Sequence, residues 1–149
     1  MSCTVFHRPV PPEEATVLEV PLFEGIVRCG MSRFPSPAEA FAKEMLDLSK
    51  RLISNPASTV LSYAGDDSMI DEGIFSGDLL IIDKSLPYGE GSVCVIPYYG
   101  EFICKKLHLE GDQVQLLSAN RAANYPPIIV NEGEELSVFG VVKYVIHQL

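Results

Sequence analysis

A chain of 149 residues, 47 % apolar and 21 % charged, is long enough for one compact domain with an arm and has the balance of an ordinary globular protein. Its formal net charge of −9 repels a phosphate backbone, and no Lys/Arg cluster offsets that locally, so direct nucleic-acid binding is not expected. No apolar run approaches the roughly 18 residues that span a bilayer, and Pro9, Pro11, Pro12, Glu13 and Glu14 stand where a signal peptide would be apolar, which implies a cytoplasmic protein without membrane contact.

Residues 1 to 20 are rich in Pro, Thr, Val and Glu without a helical period and predict an extended, poorly anchored arm. Nothing in them resembles a helix-turn-helix. In residues 22 to 30, Leu22, Ile26 and Val27 alternate loosely, a pattern that suits a strand added along a sheet edge and ends on Cys29-Gly30, locally a turn dipeptide. Ser36-Pro37-Ala38-Glu39 has the form of a helix start, with Ser36 as N-cap, Pro37 at the first helical position and Glu39 closing a capping box. Ala38, Phe41, Met45, Leu48 and Leu52 then recur every three or four residues, predicting one amphipathic helix to about Ile53, ended by Asn55-Pro56 and packing its stripe against the core.

From Thr59 onward the pattern shortens to strands over 59–64, 79–83, 92–97, 102–107, 114–117, 128–130 and 136–146, punctuated by Gly, Pro and Asn. The fold class is therefore mainly β: an arm over residues 1–36, then a helix and a β-rich domain over 37–149. Pro97 cannot donate to a ladder and belongs at a strand end or bulge. Residues 120–127 read as a loop without a chemical signature.

Two places carry reactive side chains in suggestive settings. Gly65-Asp66-Asp67 before Ser68 makes a turn, since Gly tolerates positive φ and Asp bonds its own backbone, while Met69 and Ile70 turn inward. Taken alone, Ser68 is as well explained as a turn serine bonded to nearby backbone. The runs flanking Tyr98-Tyr99-Gly100-Glu101 form a hairpin; with Tyr99-Gly100 as its two-residue loop, Lys105 pairs with Cys94 and shares a face with Ile103 and Ile96. Lys106 takes the opposite face. Both lysines could equally be solvated strand residues.

Asp67-Ser68-Met69-Ile70-Asp71, about 37 positions before Lys105-Lys106-Leu107, resembles the LexA/UmuD family of self-cleaving Ser/Lys peptidases. The resemblance extends in order through Pro21-Leu22-Phe23, Ile26 to Gly30, Phe34 to Ala38, Gly77 to Ile81, Gly100-Glu101-Phe102 and Val138 to Val142. The likeness is greatest to the UmuD branch, because the LexA repressors attach a DNA-reading domain ahead of the peptidase. It implies a LexA-like domain of twisted antiparallel sheets, Ser68 as nucleophile, Lys105 as general base, backbone N–H groups of Asp67 and Ser68 as oxyanion hole, and Cys29-Gly30 as the bond cut. It further implies a homodimer, stimulation by a RecA filament on single-stranded DNA, and service as a DNA-damage-induced accessory subunit of an error-prone translesion DNA polymerase.

The chemistry sets its own requirement. Lysine takes a serine proton only when neutral, which near pH 7 needs a downward pKa shift of roughly three units or more, about 4 kcal/mol, and burial is the available lever. Asp66 departs from the family, which has Gly two residues before the serine, and a carboxylate facing the lysine would oppose activation; Asp66 and Asp67 are therefore expected to turn toward solvent or backbone donors. A few extra residues also separate Cys29-Gly30 from Phe34-Pro35-Ser36-Pro37. These departures leave a non-cleaving, UmuD-like binding module as the competing reading. A third, a processing peptidase of the signal-peptidase kind, wants a membrane anchor. His7, His108 and His147 carry no triad signature, and Cys3, Cys29, Cys94 and Cys104 lack paired C-x-x-C spacing, so free thiols and neither metal nor cofactor are expected.

Overall fold

The computed structural model describes residues 17–23, 29–30 and 42–149, which fall into two compact units, Met1–Arg51 and Leu52–Leu149.

In the first unit, strand β1 (Glu19–Phe23) pairs antiparallel with β2 (Ala42–Asp47), from Glu19 opposite Asp47 to Phe23 opposite Ala42. This corrects the long helix expected to run to about Ile53. Over 42–47 the backbone bonds to β1 instead of to itself, so pairing overrides a helical spacing whose proposed first turn, 36–39, lies outside the described residues. Among the described residues, helix α1 (Leu48–Leu52) is what remains of it. Its cap is Asp47, whose Oδ1 accepts the main-chain N–H of Ser49 at 3.0 Å and of Lys50 at 3.3 Å, the positions an N-cap carboxylate serves. Two members of the stripe, Met45 and Leu48, are more than half exposed. Residues 1–16 of the expected arm and 24–28 before the Cys29-Gly30 bend lie outside the described residues.

The second unit is mainly β, the fold class that the pattern from Thr59 onward predicts. Seven antiparallel strands, β3 (Thr59–Tyr63), β4 (Leu79–Asp83), β5 (Val93–Tyr98), β6 (Glu101–Glu110), β7 (Gln113–Leu117), β8 (Ile128–Val130) and β9 (Gly140–Ile146), lie in the order β3-β4-β9-β5-β6-β7-β8. The last strand is shorter than its apolar run, beginning at Gly140 and not Leu136. Tyr99 and Gly100 both have positive φ, 46° and 80°, the backbone of a two-residue hairpin loop whose twist matches its strands. That loop sets Tyr98 opposite Glu101 and, along the ladder, Cys94 opposite Lys105, as the hairpin reading requires.

Alternation along β5 feeds two cores. Val95 joins Met69, Ile74, Leu80 and Ile82, whereas Cys94 and Ile96 join Leu107 and Leu116. Met69 at 2 % exposure ties the Ser68 turn into the first core. Where β9 crosses β4 and β5, Gly140 leaves no room for a side chain, since a Cβ there would lie 2.6 Å from Ile82 Cγ2.

Candidate active site

Ser68 sits between β3 and a 3-10 turn over Ile70–Glu72, which Gly73 closes in the left-handed region at φ 80°. Its position is fixed from both sides. The Ala119 N–H donates to Ser68 O at 2.8 Å, Asn120 Nδ2 donates to Asp67 O at 2.9 Å, and the Asp71 N–H donates to Ala119 O at 2.7 Å. Asp67 Oδ1 accepts the Ser76 N–H at 2.9 Å. With Met69 packed beneath, Ser68 is only 5 % exposed, which suits a held nucleophile better than a surface turn.

Lys105 reaches this serine from β6. Its Nζ lies 2.7 Å from Ser118 Oγ, 3.5 Å from Ser68 Oγ and 5.6 Å from the centroid of the Tyr125 ring. The longer distance is at the limit of a hydrogen bond, a common state for catalytic pairs before substrate binds. Both side chains line a cleft of about 210 Å³ whose apolar wall includes Ile74, Leu80, Val95 and Ile103. A larger hollow of about 510 Å³ between Tyr98, Ile129 and Glu134 holds neither Ser68 nor a lysine. Lys106, the alternative base, points elsewhere and pairs with Glu72.

The two preceding carboxylates meet backbone donors, as anticipated, and Asp66 does so at a sensitive place. Its Oδ1 accepts the Ser68 N–H at 2.8 Å. That bond, with help from the Ser68 hydroxyl and the Lys105 charge, holds the Asp66 carboxyl below its ordinary range against the opposing effect of burial. Burial pushes the Cys104 thiol, which also lines the cleft, up to about 11 despite the neighbouring lysine, and the same cause takes Cys94 to about 11. Neither is a ready nucleophile.

The remaining candidates have settings of their own. Cys29 and Gly30 form an exposed bend in the first unit, with nothing within 4 Å of a Cβ built on Gly30. His108 Nδ1 pairs with Glu90 at 3.0 Å and His147 Nδ1 with Asp78 at 2.5 Å; His7 lies outside the described residues. Among the described residues no group of three His, Cys, Asp or Glu side chains is placed to hold a metal, and no helix is long and apolar enough to cross a membrane. Sequence reasoning missed Ser118, Asn120 and Tyr125, which surround the pair; all three come from the segment after β7, and the last two lie in 120–127, a loop whose sequence carries no chemical signature.

Comparison with known proteins gives the chain its family. The chain is similar to protein ImpA of Salmonella typhimurium, 34 % identical over 97 % of this chain and 95 % of that one. It is 38 % identical to protein SamA of Salmonella typhimurium strain LT2 over 93 % and 92 % of the two chains, and 31 % identical to protein MucA of Escherichia coli over 74 % and 75 %. The model of the Peptidase S24-like family matches residues 21–143, and with the mainly β fold it shows that the chain belongs to that family, the serine peptidases of the LexA/UmuD type.

Proposed function

We propose that the chain is a DNA-damage-response mutagenesis protein that cuts itself between Cys29 and Gly30. The observation that carries the reading is the placement of Lys105 Nζ 3.5 Å from the hydroxyl of a buried serine in an apolar-walled cleft. Ser68 Oγ attacks the Cys29 carbonyl carbon while its proton passes to Lys105 Nζ. The carbon–nitrogen bond to Gly30 then breaks, and the leaving nitrogen takes the proton from Lys105. Water, deprotonated by the same amine, opens the ester on Ser68, releases the Cys29 carboxylate and restores the hydroxyl. Main-chain N–H groups of Asp67 and Ser68 hold the oxyanion in both steps.

The product, residues 30–149, acts in the cytoplasm as a homodimer that serves as accessory subunit of a translesion DNA polymerase, after cutting stimulated by a RecA filament on single-stranded DNA. The arm over residues 1–36 is the part that cleavage shortens. A second reading has one observation in its favour, the Asp66 carboxylate already bonded to the Ser68 N–H: a UmuD-like binding module that regulates a polymerase or RecA without cutting.

Intact mass separates the two. Wild type, Ser68→Ala and Lys105→Ala are incubated at about pH 7 and pH 10, with and without RecA filament, because alkali raises the neutral fraction of any lysine. Appearance of residues 30–149 from the wild type alone, faster at the higher pH, supports self-cleavage. Three intact proteins under every condition support the binding module.

A further inference from the structure

An oxyanion hole works only if its donors are free to meet the charge that develops on the carbonyl oxygen. In this chain the Ser68 N–H is engaged by Asp66 Oδ1 at 2.8 Å. The occupant is a carboxylate, so it both saturates the donor and places like charge where an alkoxide must form.

We propose that Asp66 is a built-in plug of the oxyanion site, an internal competitor of the scissile carbonyl that keeps the Ser68/Lys105 pair latent until the incoming segment displaces it. This rests on the peptidase reading of Ser68. The contact spans only two residues, from Asp66 to the N–H of Ser68, so it forms whenever the turn forms and requires no other part of the chain. Residue 66 is exposed overall, so its side chain has solvent to turn into when displaced. The Ser68 turn itself need not move, because Ala119, Asn120 and Met69 hold it independently. Displacement by substrate alone is slow, whereas a partner that draws the carboxylate away, or holds the cleavable segment in the cleft, makes cutting fast.

The test compares full-length wild type, Asp66→Gly, Asp66→Asn and Ser68→Ala by intact mass over time at one pH, with thermal melting of each as a check of folding. Removing a charge-assisted hydrogen bond from a competing site corresponds to a cleavage rate about tenfold to a hundredfold higher for Asp66→Gly. Asp66→Asn falls between, because its amide oxygen still accepts the N–H without the charge. A second readout does not depend on cutting: the amide proton resonance of residue 68 moves upfield when Asp66 becomes Gly, as a donor freed from a carboxylate does. Asp66→Gly that folds and cuts no faster than a wild type whose cutting needs Ser68 overturns the plug and leaves the peptidase reading standing. An unmoved residue 68 resonance overturns the plug as well. If neither wild type nor any Asp66 variant is cut, even with RecA filament added, both readings fall.

Discussion

Lys105 Nζ is closer to Ser118 Oγ, at 2.7 Å, than to Ser68 Oγ, at 3.5 Å. Ser118 therefore fixes where the amine points, and β6 alone does not. A lysine chain has four rotatable carbons and loses aim readily without a second anchor. Ser118→Ala is expected to lower the self-cleavage rate about fivefold to tenfold, the scale of one lost hydrogen bond, with little change in melting temperature. A positioning role also moves the pH–rate profile, because the partner of the amine has changed; a purely structural role leaves that profile in place. Rescue by Ser118→Thr, which keeps the hydroxyl, completes the test.

Lys106 provides the contrast. It neighbours Lys105 in sequence but pairs with Glu72 at a partly exposed site. Such a pair contributes little to stability, on the order of 0–1 kcal/mol. Lys106→Ala is expected to cut within about twofold of the wild-type rate, while Lys105→Ala does not cut. Inactivation by Lys106→Ala, with an intact fold by circular dichroism, would exchange the roles given to the two lysines.

The contrast shows how far the chain could be read in advance. Hairpin chemistry at Tyr99-Gly100 and period-two alternation were enough to set Lys105 opposite Cys94 and to separate the two lysines, because both follow from local geometry. Seven short runs became seven strands for the same reason. The stretch 42–47 went wrong because helical spacing of Ala, Met and Leu carries no information about a strand at 19–23 ready to pair with it. Ser118 and Asn120 were invisible for a related reason. Their value lies in contacts 13 residues back to Lys105 and 53 residues back to Asp67, and nothing in their neighbours advertises such partners. The juxtaposition of Ser68 with Lys105 itself came from family resemblance, not from any pattern within either segment.

Asp83 ties acid stability to the strand that floors the cleft. At 3 % exposure its Oδ1 accepts the hydroxyls of Ser85 at 2.6 Å and Ser58 at 2.8 Å and the Ser85 N–H at 2.8 Å. The Ser85 hydroxyl, then the Ser85 N–H and the Ser58 hydroxyl, hold its carboxyl below the ordinary 3.8 against the effect of burial. The folded form thus binds this proton more weakly than the unfolded chain. Its contribution is complete above the unfolded value and is lost as pH falls through the lowered folded one. Urea midpoints should be level between about pH 7 and pH 5 and drop below about pH 4. Asp83→Asn should lower the midpoint at pH 7 and flatten the acid dependence; an acid slope equal to that of wild type would remove Asp83 from the account.

Gly140 tests the packing where β9 meets β4 and β5. A Cβ built there would stand 2.6 Å from Ile82 Cγ2 and 3.3 Å from the Asp83 carbonyl oxygen. Ile82 is 1 % exposed and cannot swing aside without disturbing Leu80 and Val95 in the same core, so overpacking is not relieved locally. Gly140→Ala is expected to cost about 1–3 kcal/mol of stability in urea unfolding. Since Val95 and Leu80 also wall the cleft, the strain reaches the site, and self-cleavage should slow even at temperatures where the variant stays folded. The double variant Gly140→Ala with Ile82→Val, which removes one methyl from the crowded residue, should recover part of both losses. Equal stability of Gly140→Ala and wild type would mean that the strands separate there more easily than their packing implies.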